Sequence, residues 1–291
     1  MKLRIPATSA NLGCGYDTLG LALDLYNEYV IEPGAQDALI GEDRELATHM
    51  VFGARNLACE ILGLEKVPFR LQVAAAIPES RGLGSSAACI LAGVCAALAL
   101  NGRPLEDAVV LETASRIEGH PDNIVPAWTG ALTASLDTGT RILHHRIEPH
   151  PDLVYLTIIP PFEFSTAGAR SAIPVMIRHR DAVSNLSRVI LLTEALRLGQ
   201  TDQLPELLHD ELHQKYRLPL IRQLDEAYGR LWDHCLQQGD PIFLSGAGPT
   251  CIIPVMSEQA PALAAELNGR IPSCRILTLR AASQGTEVLA E

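Results

Sequence analysis

The stretch "PESRGLGSSAACILAG", residues 78–93, sets glycines, two adjacent serines and a proline directly against the start of a long apolar run. Gly82 and Gly84 each cost conformational entropy on folding, whereas Ser85 and Ser86 are poor residues inside a helix and good ones at its N-terminus. The run from Ser85 to Leu100 is apolar on every side, which predicts an interior helix. A loop that turns consecutive backbone N–H groups outward at a helix N-terminus is an anion site, because unpaired amides and the helix dipole both favour negative charge there. The same residues suit a tight turn with serine capping, and spacing alone leaves both readings open. No Lys follows Gly84, so this is not the lysine-bearing phosphate loop. Nor does it sit in the strand-loop-helix unit with a following acid that binds dinucleotides.

Around this stretch lies a chain of 291 residues, enough for two ordinary domains. Apolar residues make up 47% of it and no segment is of low complexity, which favours an ordered fold over disorder. The net charge of −11 speaks against nucleic-acid or membrane-surface binding, both of which need clustered Lys and Arg. The N-terminal "MKLRIPATSAN" has no apolar segment of signal-peptide length, and the most apolar run is too short to span a bilayer; a cytoplasmic protein is expected. Seven cysteines, widely spaced and without a Cys-x-x-Cys pair, fit reduced thiols that mostly serve as small core residues.

Periodicity divides the chain coarsely. Ala47, Val51, Ala54, Ala58 and Ile61 recur at helical spacing and stop at Gly63, and "PLEDAVVLETASRIEG" (104–119) opens with Pro and ends with Gly as a helix does. "VPFRLQVAAAI" (67–77), "GALTASLD" (130–137), "RILHHRIE" (141–148) and "LVYLTIIP" (153–160) read as strands. Helices follow over 178–198 and 219–238, and then strands again in "PIFLSGAGPTCIIPV" (241–255) and "RILTLRAA" (275–282). Strand runs followed by helix runs predict an α+β fold, with the change of texture at Pro160-Pro161 as the expected division into residues 1–160 and 161–291.

Three further polar islands accompany the glycine loop: "PATSANLGCGYDTLG" (6–20), "EGHPDNIVPA" (118–127) and "LSGAGPT" (244–250). The first is too polar and Gly-rich to read as regular structure. In this order, and spread over nearly the whole chain, the four islands resemble the signature segments of the GHMP small-molecule kinases. "SANLG", "HPDN" and "PPFEFSTAGAR" (160–170) make the resemblance closest to the homoserine kinase family within them. The resemblance implies a two-domain fold, with an N-terminal ATP-binding domain like ribosomal protein S5 and a C-terminal ferredoxin-like GHMP kinase domain. It also implies a homodimer and the ATP-dependent phosphorylation of L-homoserine on its side-chain hydroxyl, in threonine biosynthesis.

Site residues follow from the same resemblance. Pro78, Glu79, Ser80, Arg81, Gly82, Leu83, Gly84, Ser85, Ser86, Ala87 and Ala88 would form the loop around the ATP triphosphate, with Asn56 near the adenosine. Ser86 or Ser85 would offer a hydroxyl to Mg²⁺ and Glu118 a carboxylate, with Glu112 the alternative acid. Arg170 and Arg217 look like the pair for the amino-acid carboxylate; Asn11, Asp17, His120 and Asp122 look like contacts for the amine and hydroxyl. Thr166, Asn123 and Gly246 would stand nearby, and Asp17, Glu118, Arg170 and Thr166 closest to the reacting groups. Asp17 is the candidate general base, a role some GHMP kinases give an aspartate, although for a homoserine kinase the resemblance implies substrate binding instead. Without the resemblance, Arg217 reads as a solvated helix residue, and His120 and Asp122 as possible helix caps. His209 and His213 in "HDELH" lack the glutamate position of the zinc-protease motif and read as ordinary histidines on a helix surface. Relatives usually have Pro where this chain has Cys14 and Phe where it has Tyr16; losing the proline predicts a looser loop, and the thiol a group open to oxidation. The competing expectations are a GHMP kinase acting on mevalonate, shikimate or a sugar alcohol, or a binding protein of the same fold without catalysis.

Overall fold

A computed structural model describes residues 1–40, 45–164 and 166–289, with the side chains of residues 45–47, 166 and 167 left out. The chain opens with β1 (Lys2–Ala10) and the long β2 (Leu19–Pro33), then the short β3 (Ala38–Leu39), helix α1 (Glu45–Leu62) and β4 (Phe69–Ala74). Helix α2 (Ser85–Leu100) is followed by α3 (Asp107–Glu118), α4 (Ile124–Thr129), β5 (Leu132–Asp137), β6 (Ile142–Ile147) and β7 (Leu153–Ile159). Helices α5 (Thr166–Ser171), α6 (His179–Leu198), α7 (Leu204–Leu207), α8 (Gln214–Leu224) and α9 (Glu226–Gln238) come next. The chain closes with β8 (Phe243–Leu244), β9 (Cys251–Met256), α10 (Ala260–Arg270), β10 (Arg275–Leu279) and β11 (Glu287–Leu289). The content is 41% helix and 24% strand, an α+β molecule.

Two sheets organise it. The first runs β11-β1-β2-β4-β3, with β5 also on β2 and β6 on β5; all its pairs are antiparallel except β3 with β4. The second is antiparallel in the order β10-β7-β9-β8. Strand β7 lies before Pro160 yet belongs to the second sheet, and β11 returns from the end of the chain to pair with β1 of the first. A cut at Pro160 therefore does not coincide with the division between the sheets.

Helix α2 is the axis of the core. Every residue from Ala87 to Leu98 is buried, as an all-apolar helix requires. Gly93 is what lets α1 come close: a Cβ there would lie 2.6 Å from both the Ala54 Cβ and the Val51 carbonyl oxygen. Strand β7 shares out its side chains by alternation, Leu153, Tyr155 and Ile159 joining the main core while Val154, Leu156 and Ile158 pack with α9 residues Tyr228, Leu231 and Trp232. Two expectations change here. "PATSA" is strand, the last five residues of β1, buried on both faces; its polar Thr8 and Ser9 have partners in Asn123 and Ser245. The single helix expected over 219–238 is two, divided where Asp225 turns extended and its carboxylate accepts the Tyr228 N–H, capping α9.

Candidate active site

The glycine loop packs against the chain's own backbone. Gly82 and Gly84 have φ of 75° and 71°, in the left-handed region, and a Cβ would lie 2.3 Å from the Ser245 carbonyl oxygen at Gly82 and 1.9 Å from Thr8 Oγ1 at Gly84. The Ser245 hydroxyl donates to the Gly82 carbonyl, the Thr8 N–H to that of Leu83, and the Thr250 N–H to that of Arg81. Turn 245–250 and the end of β1 thus clamp the loop from one side. Arg81 ties it to the other, donating to the carbonyls of Pro160 (3.1 Å) and Pro161 (3.0 Å). With Gly84 as N-cap, α2 has no side-chain cap, so the first amides of the helix stand open to the cleft.

That cleft has an open volume of about 680 Å³. Of the residues predicted for the site, it gathers Pro78, Ser80 to Ser86, Asn11, Asp17, Glu118, His120, Asp122, Asn123, Arg170, Arg217 and Gly246. Glu79 does not line it, and Ala87 and Ala88 are in the core beneath. Asn56 lies on α1 away from the cleft, where its carbonyl oxygen accepts from Arg55 Nε. The side chain of Thr166, the first residue of α5, falls outside the described residues. Neither His120 nor Asp122 caps α4, whose N-cap is Asn123.

Helix α3 ends at Gly119 with φ 94°, and its last residue, Glu118, reaches into the cleft and accepts from Ser86 Oγ at 2.8 Å. Glu112 is exposed and outside the cleft, so of the two acids only Glu118 meets a serine of the glycine loop. Burial pushes the Glu118 carboxyl up, partly offset by the Ser86 hydrogen bond and the charge of His120. A hydroxyl and a carboxylate are hard oxygen donors of the kind that suit Mg²⁺, and a cation would relieve the burial of that acid.

Asp17 has φ 50°, held by its own N–H donating to Asn11 Oδ1 (2.9 Å) while Asn11 Nδ2 donates to the Gly246 carbonyl (2.9 Å). Its carboxylate accepts from Arg170 at 3.2 Å. Burial and the neighbouring Asp122 charge raise it, against the pull of Arg170, His120 and Arg217. His120 Nδ1 lies 2.5 Å from Asp122 Oδ1; burial alone would lower this imidazole, but Asp122, Glu118 and Asp17 together raise it. Arg217 is 98% buried rather than solvated, and burial lowers its guanidinium from the ordinary arginine value.

Beneath the cleft runs a polar network that sequence reasoning missed. His213 is fully buried, not on a helix surface, and its Nε2 meets the Gly13 carbonyl at 2.8 Å while Nδ1 meets Arg217 Nη1 at 3.1 Å. Asp210 accepts the N–H groups of Leu212, His213 and Gln214, and Asn185 of α6 donates both to Asp210 and to the Cys14 carbonyl. The loop that lost a proline is thus fastened by hydrogen bonds. Cys14 is 2% exposed and burial pushes its thiol up to about 12, which leaves it an inert core residue. The available signal was the four-residue spacing of His213 and Arg217, which places both on one face of a helix.

The cleft thus sets an uncapped helix N-terminus against paired acids and arginines, and residues 49–131 match the family model described as GHMP kinases N terminal domain. A homoserine kinase from Moorella thermoacetica is 36% identical over 99% of both chains. The chain belongs to the homoserine kinase family. The fold is shared more widely: a homoserine kinase structure from Cytophaga hutchinsonii covers 99% of this chain and is itself covered to 97%, at 24% identity and a TM-score of 0.83. An L. major mevalonate kinase in complex with R-mevalonate superposes with a TM-score of 0.69 at 18% identity, covering 98% of this chain and 96% of its own. Among the described residues, no helix is long and apolar enough to cross a membrane.

Proposed function

We propose that this chain transfers the γ-phosphoryl group of ATP to the side-chain hydroxyl of L-homoserine, giving O-phospho-L-homoserine and ADP. One observation carries the reading: the open N-terminus of α2 and the Asp17–Arg170 ion pair share one cleft with Arg217. The first is an anion cradle and the second a matched pair of charges. A zwitterionic amino acid fits that pair, its ammonium meeting Asp17 and its carboxylate Arg170 and Arg217.

Phosphoryl transfer asks for in-line positioning and for charge stabilisation on the equatorial oxygens. The amides from Gly82 to Ser86 supply dipoles for the phosphates, and Arg81 steadies the loop that carries them. Ser86 and Glu118 would hold Mg²⁺, which when bound would supply positive charge to offset that of the phosphates. His120, which burial lowers but the charges of Asp122, Glu118 and Asp17 raise more, lines the cleft beside Glu118 and Asp17. Asp17 is already engaged by Arg170, which suits binding of the substrate ammonium better than proton abstraction, so the hydroxyl proton leaves to a phosphate oxygen or to solvent. A cytoplasmic homodimer belongs to the same reading, and light scattering would give twice the 31.4 kDa chain mass.

The test is a coupled ADP-release assay with Mg-ATP against L-homoserine, mevalonate and shikimate in parallel. Turnover with homoserine alone is expected. Turnover with mevalonate or shikimate instead would move the chain to another GHMP activity, and none with any would leave a binding protein.

A further inference from the structure

Arg217 is held in an unusual way for an arginine offered to a carboxylate. Its Nε donates to the Ala169 carbonyl at 3.3 Å, and its Nη1 meets both the Gly246 carbonyl (3.0 Å) and His213 Nδ1 (3.1 Å). Those three contacts use every N–H on Nε and Nη1, and Nη2 makes no hydrogen bond among the described residues. Of the guanidinium of Arg217, which lines the cleft, this leaves Nη2 as the one nitrogen open to a ligand, instead of a two-nitrogen fork.

His213 is the part of this arrangement that no substrate touches. It is fully buried and does not line the cleft. Gly13 offers only a carbonyl, so Nε2 must carry the proton and donate to it, and Nδ1 is left as an acceptor for Arg217. The imidazole stacks on Tyr16 with ring centroids 5.3 Å apart, and the Arg217 guanidinium lies over the same Tyr16 ring, also at 5.3 Å. Burial lowers the imidazole well below its usual 6.5, which keeps it neutral and Nδ1 available as an acceptor. From below, Asp210 accepts the His213 and Gln214 N–H groups and fixes where α8 begins.

We propose that His213 is a positioning residue for substrate binding: its two ring nitrogens hold Arg217 with Nη2 open to a ligand and lock that setting to the Gly13 segment that leads to Asp17. The inference rests on reading Arg217 as a contact for the substrate carboxylate. A single imidazole thereby couples the cation of the site to the loop carrying its acid.

Two variants separate the two ring nitrogens. Gln places a donor near the position of Nε2 but no acceptor near Nδ1, and Asn places an acceptor near Nδ1 but no donor near Nε2. His213→Gln should raise the homoserine KM roughly tenfold, the scale of one hydrogen bond to a charged group, with the ATP KM within about twofold of wild type. His213→Asn, keeping the acceptor, should raise it less. In an Arg217→Ala background His213→Gln should add little further, because it acts through that arginine. An unchanged homoserine KM in His213→Gln, a parallel rise in the ATP KM, or full additivity with Arg217→Ala would each overturn the proposal. If His213→Gln does not fold, His213→Asn decides: a homoserine KM raised about threefold or more, with the ATP KM unchanged, supports the proposal, and a homoserine KM equal to wild type, or an equal rise in the ATP KM, overturns it. Wild-type enzyme inactive on homoserine would instead overturn the reading of the substrate.

Discussion

At Gly82 and Gly84, glycine answers a local demand before any ligand is considered. Both have positive φ, and both lie where a Cβ would overlap Ser245 or Thr8. Composition alone suggested close approach to something, and the partner in the folded chain is the protein's own turn at 245–250. Asp17, Glu118, His120 and Asp122 stand in two of the short polar islands, whereas Arg170 and Arg217 were singled out only by the resemblance; the cleft gathers all six. His213 and Asp210 were not legible, because burial of a polar residue depends on which distant elements cover it. At this scale, Asp17→Asn should raise the homoserine KM by about tenfold or more, with kcat changed by less than about threefold. Arg170→Leu should raise the same KM and leave that for ATP unchanged. Steady-state kinetics in both substrates decide it: a near-normal KM with a very large fall in kcat for Asp17→Asn would make that residue the general base.

Among the elements, α2 was read with the bounds it has, Ser85 to Leu100, because an all-apolar run ended by glycine at one side and Asn101 at the other leaves little choice. Strand β2 was missed: over fifteen residues it mixes Asp24, Asn27 and Glu28 with apolar positions, and its pairing shifts from β5 to β4 along its length. The C-terminal half of β1 was hidden for a different reason, being buried on both faces and so lacking any alternation. Gly93 shows what holds α2 in place. Gly93→Val would drive two methyls into Ala54 and the α1 backbone, and should cost about 2 kcal/mol of stability, read as a lower urea midpoint. A midpoint equal to wild type would mean that the α1–α2 contact has slack.

For the whole molecule, the α+β class was legible and the way the sheets divide the chain was not, since neither β7 nor the three residues of β11 announce their distant partners. Stability of the whole should carry the mark of His213. In the folded state burial holds this imidazole neutral, whereas the unfolded chain takes up a proton below about 6.5. The unfolded state then binds more protons, so this residue's contribution to stability falls as the pH drops below that value. Asp17 and Glu118 act in the opposite sense, because their raised values let the folded state take up protons first. Comparing wild type with His213→Gln cancels those two: the gap between their urea midpoints should narrow from about pH 7 to about pH 5, and a constant gap would refute the assignment.

The pairing of Lys2 with Leu289 has a consequence for how the protein is made. Strand β1 is made long before its outer neighbour β11, so in the interval the first strand has one bare edge, open to any other extended peptide. The second sheet can form in the meantime, as all four of its strands lie between residues 153 and 279. Completion of the body that carries the glycine loop therefore waits for β11, and this strand edge is where a nascent-chain chaperone has most to shield.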